Sequence, residues 1–224
     1  MKKIICIIAI ISLLVVHISA SKSETTYTDV KEGDWYYNSI INQDDCLNGF
    51  PDGSFRPNEN LTREQMAMIL YKWKGNGEKY NSYHFKDVVP NSWYADAIEW
   101  MYQKGYTAGI SETEFGVGRC ITRQDLVVMV YNVNYELWHN HPDYKYDWAK
   151  EIPNKFKDKN EISDYAMPAF YLACNIVAID DHYMHVYTSA PPIIKGDNNG
   201  MLRPKAFCTR AEAAVILSHA KVVH

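Results

Sequence analysis

Apolar residues recur at helical spacings of three and four in three well-separated stretches: Met66, Ile69, Leu70 and Trp73; Leu126, Met129, Val130 and Val133; Ala213, Ile216 and Leu217. Each stretch predicts an amphipathic helix with one buried stripe. Each also opens on the same dipeptide, Thr62-Arg63, Thr122-Arg123 and Thr209-Arg210. Thr62 with Gln65, and Thr209 with Glu212, predict a capping box, in which the hydroxyl accepts a free amide and the N3 side chain answers it; Thr122 with Asp125 is a shorter variant. Tight turns are predicted just upstream, at Pro51-Asp52-Gly53 and Asn198-Asn199-Gly200. A second, shorter helical stretch lies further upstream. In the middle of the chain it opens at Trp93-Tyr94-Ala95, carries Ala97, Ile98, Met101 and Tyr102, and stops at Lys104-Gly105. Trp35-Tyr36-Tyr37 opens its first counterpart, whereas the third reads Ile162-Ser163-Asp164-Tyr165-Ala166, without the tryptophan.

An aromatic-x-Asp step precedes each of these pairs, at Tyr27-Thr28-Asp29, Phe85-Lys86-Asp87 and Phe156-Lys157-Asp158. The chain is therefore three copies of one helix-loop-helix unit. The units are assigned to residues 26–73, 85–131 and 156–220, the last with an insertion near 180–192. Residues 74–84 read as a Gly-, Asn- and Lys-rich linker. Residues 132–155, with Trp138, Tyr144, Tyr146 and Trp148, are too aromatic for a free tether and are expected to pack back on the body. One unit is too small to bury a core alone, so the three must pack together.

Composition narrows the setting. Residues 1–20 combine Lys2 and Lys3 with an apolar run and a small-residue exit at Ser19-Ala20-Ser21, the pattern of a secretory signal peptide. A retained membrane anchor is the alternative, although the run is short for a bilayer span. Without that segment no second apolar span remains, so the expectation is an exported protein with no membrane attachment after cleavage. Removal of Lys2 and Lys3 moves the formal net charge from -4 to -6, which argues against nucleic acid as a partner. Cys46, Cys120, Cys174 and Cys208 show no zinc-like spacing. They fall at different places in the units, which favours buried thiols over disulfides. The last repeat helix is expected to end close to the C-terminus, leaving no cargo domain behind it.

Arginine at the first helical position is electrostatically unfavourable, because that end of a helix carries partial positive charge. Its threefold recurrence at Arg63, Arg123 and Arg210 calls for a counter-charge. One solution is an outside anion seated on free helix amides and the guanidinium fork. The other is an acid of a neighbouring unit, with Asp29, Asp87 and Asp158 as candidates. Sequence alone leaves both open.

The full phrase, aromatic-x-Asp-Val, Trp-Tyr, Gly49-Phe50-Pro51-Asp52-Gly53-Ser54-Phe55-Arg56-Pro57, then Leu61-Thr62-Arg63-Glu64, resembles the S-layer homology domain. The resemblance covers nearly all of the chain beyond residue 20, as three tandem copies. It implies an all-α fold, a pseudo-threefold prism around a central helical bundle, with no cofactor. It also implies a secreted, non-catalytic module at the cell wall, binding a secondary cell-wall polysaccharide that often carries pyruvate ketals. The ligand carboxylate would meet the Thr-Arg arginine in grooves between units. Carried over residue by residue, the ligand-binding set is Arg63, Arg123 and Arg210; Asp29, Asp87 and Asp158; Trp35 and Trp93; and the turn glycines Gly49, Gly109 and Gly196. A groove tryptophan can stack on a sugar face or simply pack in the core. The second copy has Gly118-Arg119-Cys120 in place of the turn's Arg-Pro, and the third lacks the tryptophan, so the grooves are not expected to be equal.

Other chemistry is less supported. His139, His141 and Asp143, and Asp180, Asp181, His182 and His185, lie in irregular segments with no rigid frame for a metal, and none is assigned. Asp197-Asn198-Asn199-Gly200 starts like a calcium loop but lacks the later glutamate, so it reads as a turn. No phosphate loop or nucleophile elbow is present, and Asp52, Glu64 and Asp125 do not form a recognisable catalytic pair, so the chain reads as no enzyme. A different class of reading remains: the repeats scaffold a surface-protein partner site, or self-association, built from Trp138, Trp148 and the 180–192 insertion.

Overall fold

The computed structural model describes residues 27–42, 46–134, 152–175, 178–180, 183–187 and 192–222, with side chains of the two short strands left aside. Six α-helices carry the described chain: α1 (Tyr37–Ile41), α2 (Arg63–Lys74), α3 (Ala95–Gln103), α4 (Arg123–Asn134), α5 (Met167–Asn175) and α6 (Arg210–Val222). The helical class agrees with the sequence pattern, and Arg63, Arg123 and Arg210 are indeed the first residues of α2, α4 and α6. An antiparallel hairpin of β1 (Ala178–Asp180) and β2 (Tyr183–Tyr187) is an addition the all-α expectation did not contain. It falls at the start of the insertion in the third unit.

Local chemistry explains the helix ends. The capping box of α2 is complete: the Thr62 amide donates to Gln65 Oε1 at 3.0 Å and the Gln65 amide donates to Thr62 Oγ1 at 3.4 Å. Thr209 and Glu212 repeat it. At Thr122 only the hydroxyl half is formed, because the shorter Asp125 is committed elsewhere. Helix α3 stops at Gly105, whose φ of +72° gives the left-handed turn, and the Tyr106 amide reaches back to the Met101 carbonyl. In the third unit 3-10 turns at Lys159–Glu161 and Asp164–Ala166 replace the tryptophan-led helix opening, and α5 starts only at Met167. The 74–84 stretch is pinned to α3: the Tyr80 amide and Lys79 both bond Asp96.

The helices pack in a cyclic order. The first helix of each unit lies on the second helix of the preceding one: α3 on α2, α5 on α4 and α1 on α6; α4 also contacts α2 and α6. Backbone closes the circle. The Leu61 amide donates to the Cys208 carbonyl, Cys208 to Ile121, and Ile121 to Leu61, each at 2.9 Å. All three residues are fully buried, so the ring lies inside the core and the units cannot separate without exposing it. Met66, Leu70, Ile98, Met101, Leu126 and Leu217, all predicted on the buried stripes, are likewise inaccessible. None of Cys46, Cys120, Cys174 and Cys208 forms a disulfide, and all but Cys120 are buried. No described helix is long and apolar enough to cross a membrane.

Candidate functional site

The aspartate of each aromatic-x-Asp step clamps the turn of its own unit. Asp29 accepts the Phe55 and Arg56 amides at 2.7 and 2.8 Å; Asp158 accepts those of Leu202 and Arg203 at 2.8 and 2.7 Å. Asp87 accepts three, from Phe115, Gly116 and Val117. Burial of the Asp87 carboxyl works to raise its pKa, but the three amides together outweigh it and hold the group below the usual carboxylate value. The clamp imposes a left-handed backbone on the middle residue, with φ of +57° at Arg56 and +53° at Arg203; the second unit uses Gly116 there.

The turn glycines serve the aromatic of the same step. A Cβ on Gly49 would lie 2.3 Å from Tyr27 Cε1, one on Gly109 2.5 Å from Phe85 Cε1, and one on Gly196 2.7 Å from Phe156 Cε1. The missing side chain is thus the space in which the ring packs.

Each motif arginine crosses to the next unit and donates from Nε to the carbonyl of a clamped residue: Arg63 to Phe115 at 2.8 Å, Arg123 to Leu202 at 2.9 Å and Arg210 to Phe55 at 2.8 Å. Asp29, Asp87 and Asp158 therefore meet the arginines through a peptide group and not as ion-pair partners. Their oxygens are already spent on amides. The acids that do pair are the N3 residues of the next helix, Asp125 with Arg63 at 3.2 Å and Glu212 with Arg123 at 3.1 Å. At the third boundary N3 is the neutral Gln65, and Arg210 Nη2 donates instead to the Asn48 carbonyl at 2.8 Å. Its guanidinium packs 4.7 Å from the ring centroids of both Phe50 and Phe55.

The free helix amides invoked for an anion seat are also occupied. The Arg63, Arg123 and Arg210 amides donate to the carbonyls of Arg119, Ala206 and Glu59, all at 2.9 Å. Neighbouring units thus take the donors that a helix start leaves unsatisfied. Trp35 and Trp93 stand 66% and 57% exposed, each edge-on to the tyrosine that follows it at 5.2 Å. They are outside the core.

The three boundaries differ. Against Arg63, Tyr165 donates to Asp125 at 2.6 Å and accepts from Gln124; burial and then that Asp125 bond push the Tyr165 phenol above its usual value. Against Arg123 opens a cavity of about 600 Å³, walled by Trp35, Lys195, Asp197, Arg203 and Glu212 among others. Asp197 closes an Asx turn by accepting the Asn199 and Met201 amides and pairs with Arg203, which is the turn role expected of that segment. No cluster of three or more potential metal ligands occurs among the described residues. Positions 139–143, 181 and 182 lie outside the described residues, as do Trp138 and Trp148.

Helix contacts in cyclic order and turns clamped in every unit define a module built from three repeats. The chain belongs to the S-layer homology domain family, whose pattern matches residues 26–67, 84–127 and 192–214. The last match covers only the second half of the third unit, where the tryptophan-led opening is missing. Relatives include an endoglucanase of Bacillus sp. (strain KSM-635), 24% identical over 96% of this chain and 21% of that enzyme. A cellulosome-anchoring protein of Acetivibrio thermocellus is 26% identical over 77% of this chain and 34% of its own length. A surface-layer 125 kDa protein of Lysinibacillus sphaericus is 25% identical over 77% and 13%, respectively. The chain thus spans no more than about a third of these relatives.

Proposed function

We propose that this chain is a non-catalytic tether that holds an exported protein on the bacterial cell surface by recognising an anionic secondary wall polysaccharide in its unit-boundary grooves. The carrying observation is the pairing, along one open cavity, of the exposed indole of Trp35 with the Arg123 guanidinium. Indole faces stack on sugar rings and guanidinium groups bind carboxylates or phosphates. The relatives support the reading because proteins named for glucan cleavage, cellulosome anchoring and surface-layer formation share this same region. A segment common to such different proteins serves attachment better than catalysis. The cyclic helix contacts support the prism about a central bundle. In this reading Asp29, Asp87, Asp158 and the turn glycines build the groove walls, while Trp35 and Arg123 face the ligand.

Co-sedimentation of the purified protein with bacterial walls tests this, using walls before and after acid extraction of the secondary polymer. Retention on intact walls and release from stripped ones is the expected result. Failure to sediment with intact walls would overturn the tether.

A further inference from the structure

The unequal grooves expected from the sequence differ in their chemistry. Arg63 and Arg210 are each only 5% exposed, whereas Arg123 reaches the 600 Å³ cavity, a volume within the range of roughly 300–1,000 Å³ typical of ligand pockets. Its two carboxylates are spent within the protein. Glu212 holds Arg123 with one oxygen and the Thr209 amide with the other; Asp197 holds two amides and Arg203. Lys195, by contrast, is exposed on the cavity wall and makes no ion pair among the described residues. Among the described residues the cavity therefore has one cation more than it has acids to pair with, in a chain whose formal net charge is -4.

The Arg63 boundary is the opposite case. Asp125 gives one oxygen to Arg63 and the other to Tyr165, Glu64 takes the Gly118 amide, and the position of Trp35 and Trp93 is held by the exposed acid Asp164. An anion approaching there meets a carboxylate instead of an indole.

We infer that recognition is asymmetric: the cavity walled by Trp35, Arg123, Arg203 and Lys195 is the principal seat for an acid-bearing saccharide, with Lys195 selecting the acid group, and the Arg63 boundary is closed by the chain's own Tyr165. This rests on the tether reading and deepens it. Lys195 stands just before the turn glycine Gly196, where the first two units carry Asn48 and Ala108, which is why counting Thr-Arg motifs does not find it.

The test is titration calorimetry of the protein with polysaccharide fragments released from purified walls, native or amidated with carbodiimide. Amidation neutralises carboxylates and leaves phosphates, so abolished binding assigns a carboxylate and retained binding a phosphate, both within the inference. Lys195→Ala and Trp35→Ala should each weaken binding about tenfold, the scale of one well-placed contact. Lys195→Arg should restore most of it, and Trp93→Ala should stay within about twofold of wild type. All three tested side chains are exposed, so folding is preserved. If Trp93→Ala abolishes binding while Trp35→Ala and Lys195→Ala bind normally, the asymmetry is wrong and the tether stands. If the wild-type protein binds no fragment, both fall.

Discussion

Arg210 Nε donates to the Phe55 carbonyl at 2.8 Å, joining the first residue of the last repeat helix to a turn 155 positions earlier. That bond closes the cycle begun by Arg63 on Phe115 and Arg123 on Leu202. Burial depresses the Arg210 pKa, with Glu59 opposing. Losing the guanidinium leaves two carbonyls short of a donor inside a packed boundary. Arg210→Ala is expected to cost about 2–4 kcal/mol, and Arg210→Lys to recover only part, since an ammonium cannot reproduce the fork. Urea unfolding would show this as a lower midpoint in a single transition; an unchanged midpoint would mean the closure contributes nothing.

Gly109 and Gly105 form a controlled pair. Both are left-handed, at +75° and +72°, but a Cβ at Gly109 would sit 2.4 Å from the Glu114 carbonyl oxygen, whereas one at Gly105 meets nothing within 4 Å. Gly105→Ala should cost only the backbone term of about 1–2 kcal/mol. Gly109→Ala should cost clearly more, by displacing Phe85 or the turn. Equal losses on thermal unfolding would show that the ring contact is soft.

Acid should weaken the Asp87 clamp of the second unit. The Asp87 pKa is depressed in the folded state, so its contribution is complete above the ordinary carboxylate value near 4 and is lost as the pH falls below that towards the folded value. Asp87→Asn should lower stability at neutral pH and flatten its decline with acid. A variant with an undiminished pH slope would assign the acid sensitivity to other carboxylates.

Thiol reactivity should follow burial. Burial pushes the Cys208 and Cys174 thiols up to about 12, so neither supplies thiolate at neutral pH. Iodoacetamide followed by peptide mass spectrometry should label the part-exposed Cys120 in the native protein and reach Cys174 and Cys208 only in denaturant. Native labelling of Cys208 would mean that the central ring opens readily.

Several features were readable from the sequence because their causes lie within a few residues. The starts of α2, α4 and α6 follow from a threonine and the side chain three positions on, the end of α3 from Gly105, and the buried stripes from helical spacing. The repeat announced the family for the same reason, since each copy restates one local program. What the repeat could not reveal is how the copies treat one another. Arg63, Arg123 and Arg210 are identical in context, yet they meet Asp125, Glu212 and the Asn48 carbonyl. Their partners depend on packing across tens of residues of chain. The motif aspartates, read as candidates for the ligand or for the arginines, turn out to hold backbone amides, because only the folded turn points those amides at them. Whether an indole is core or surface is likewise set by which helix covers it. Trp35 lies exposed at the edge of a cavity that exists only because α1 docks on α6, at the far end of the chain.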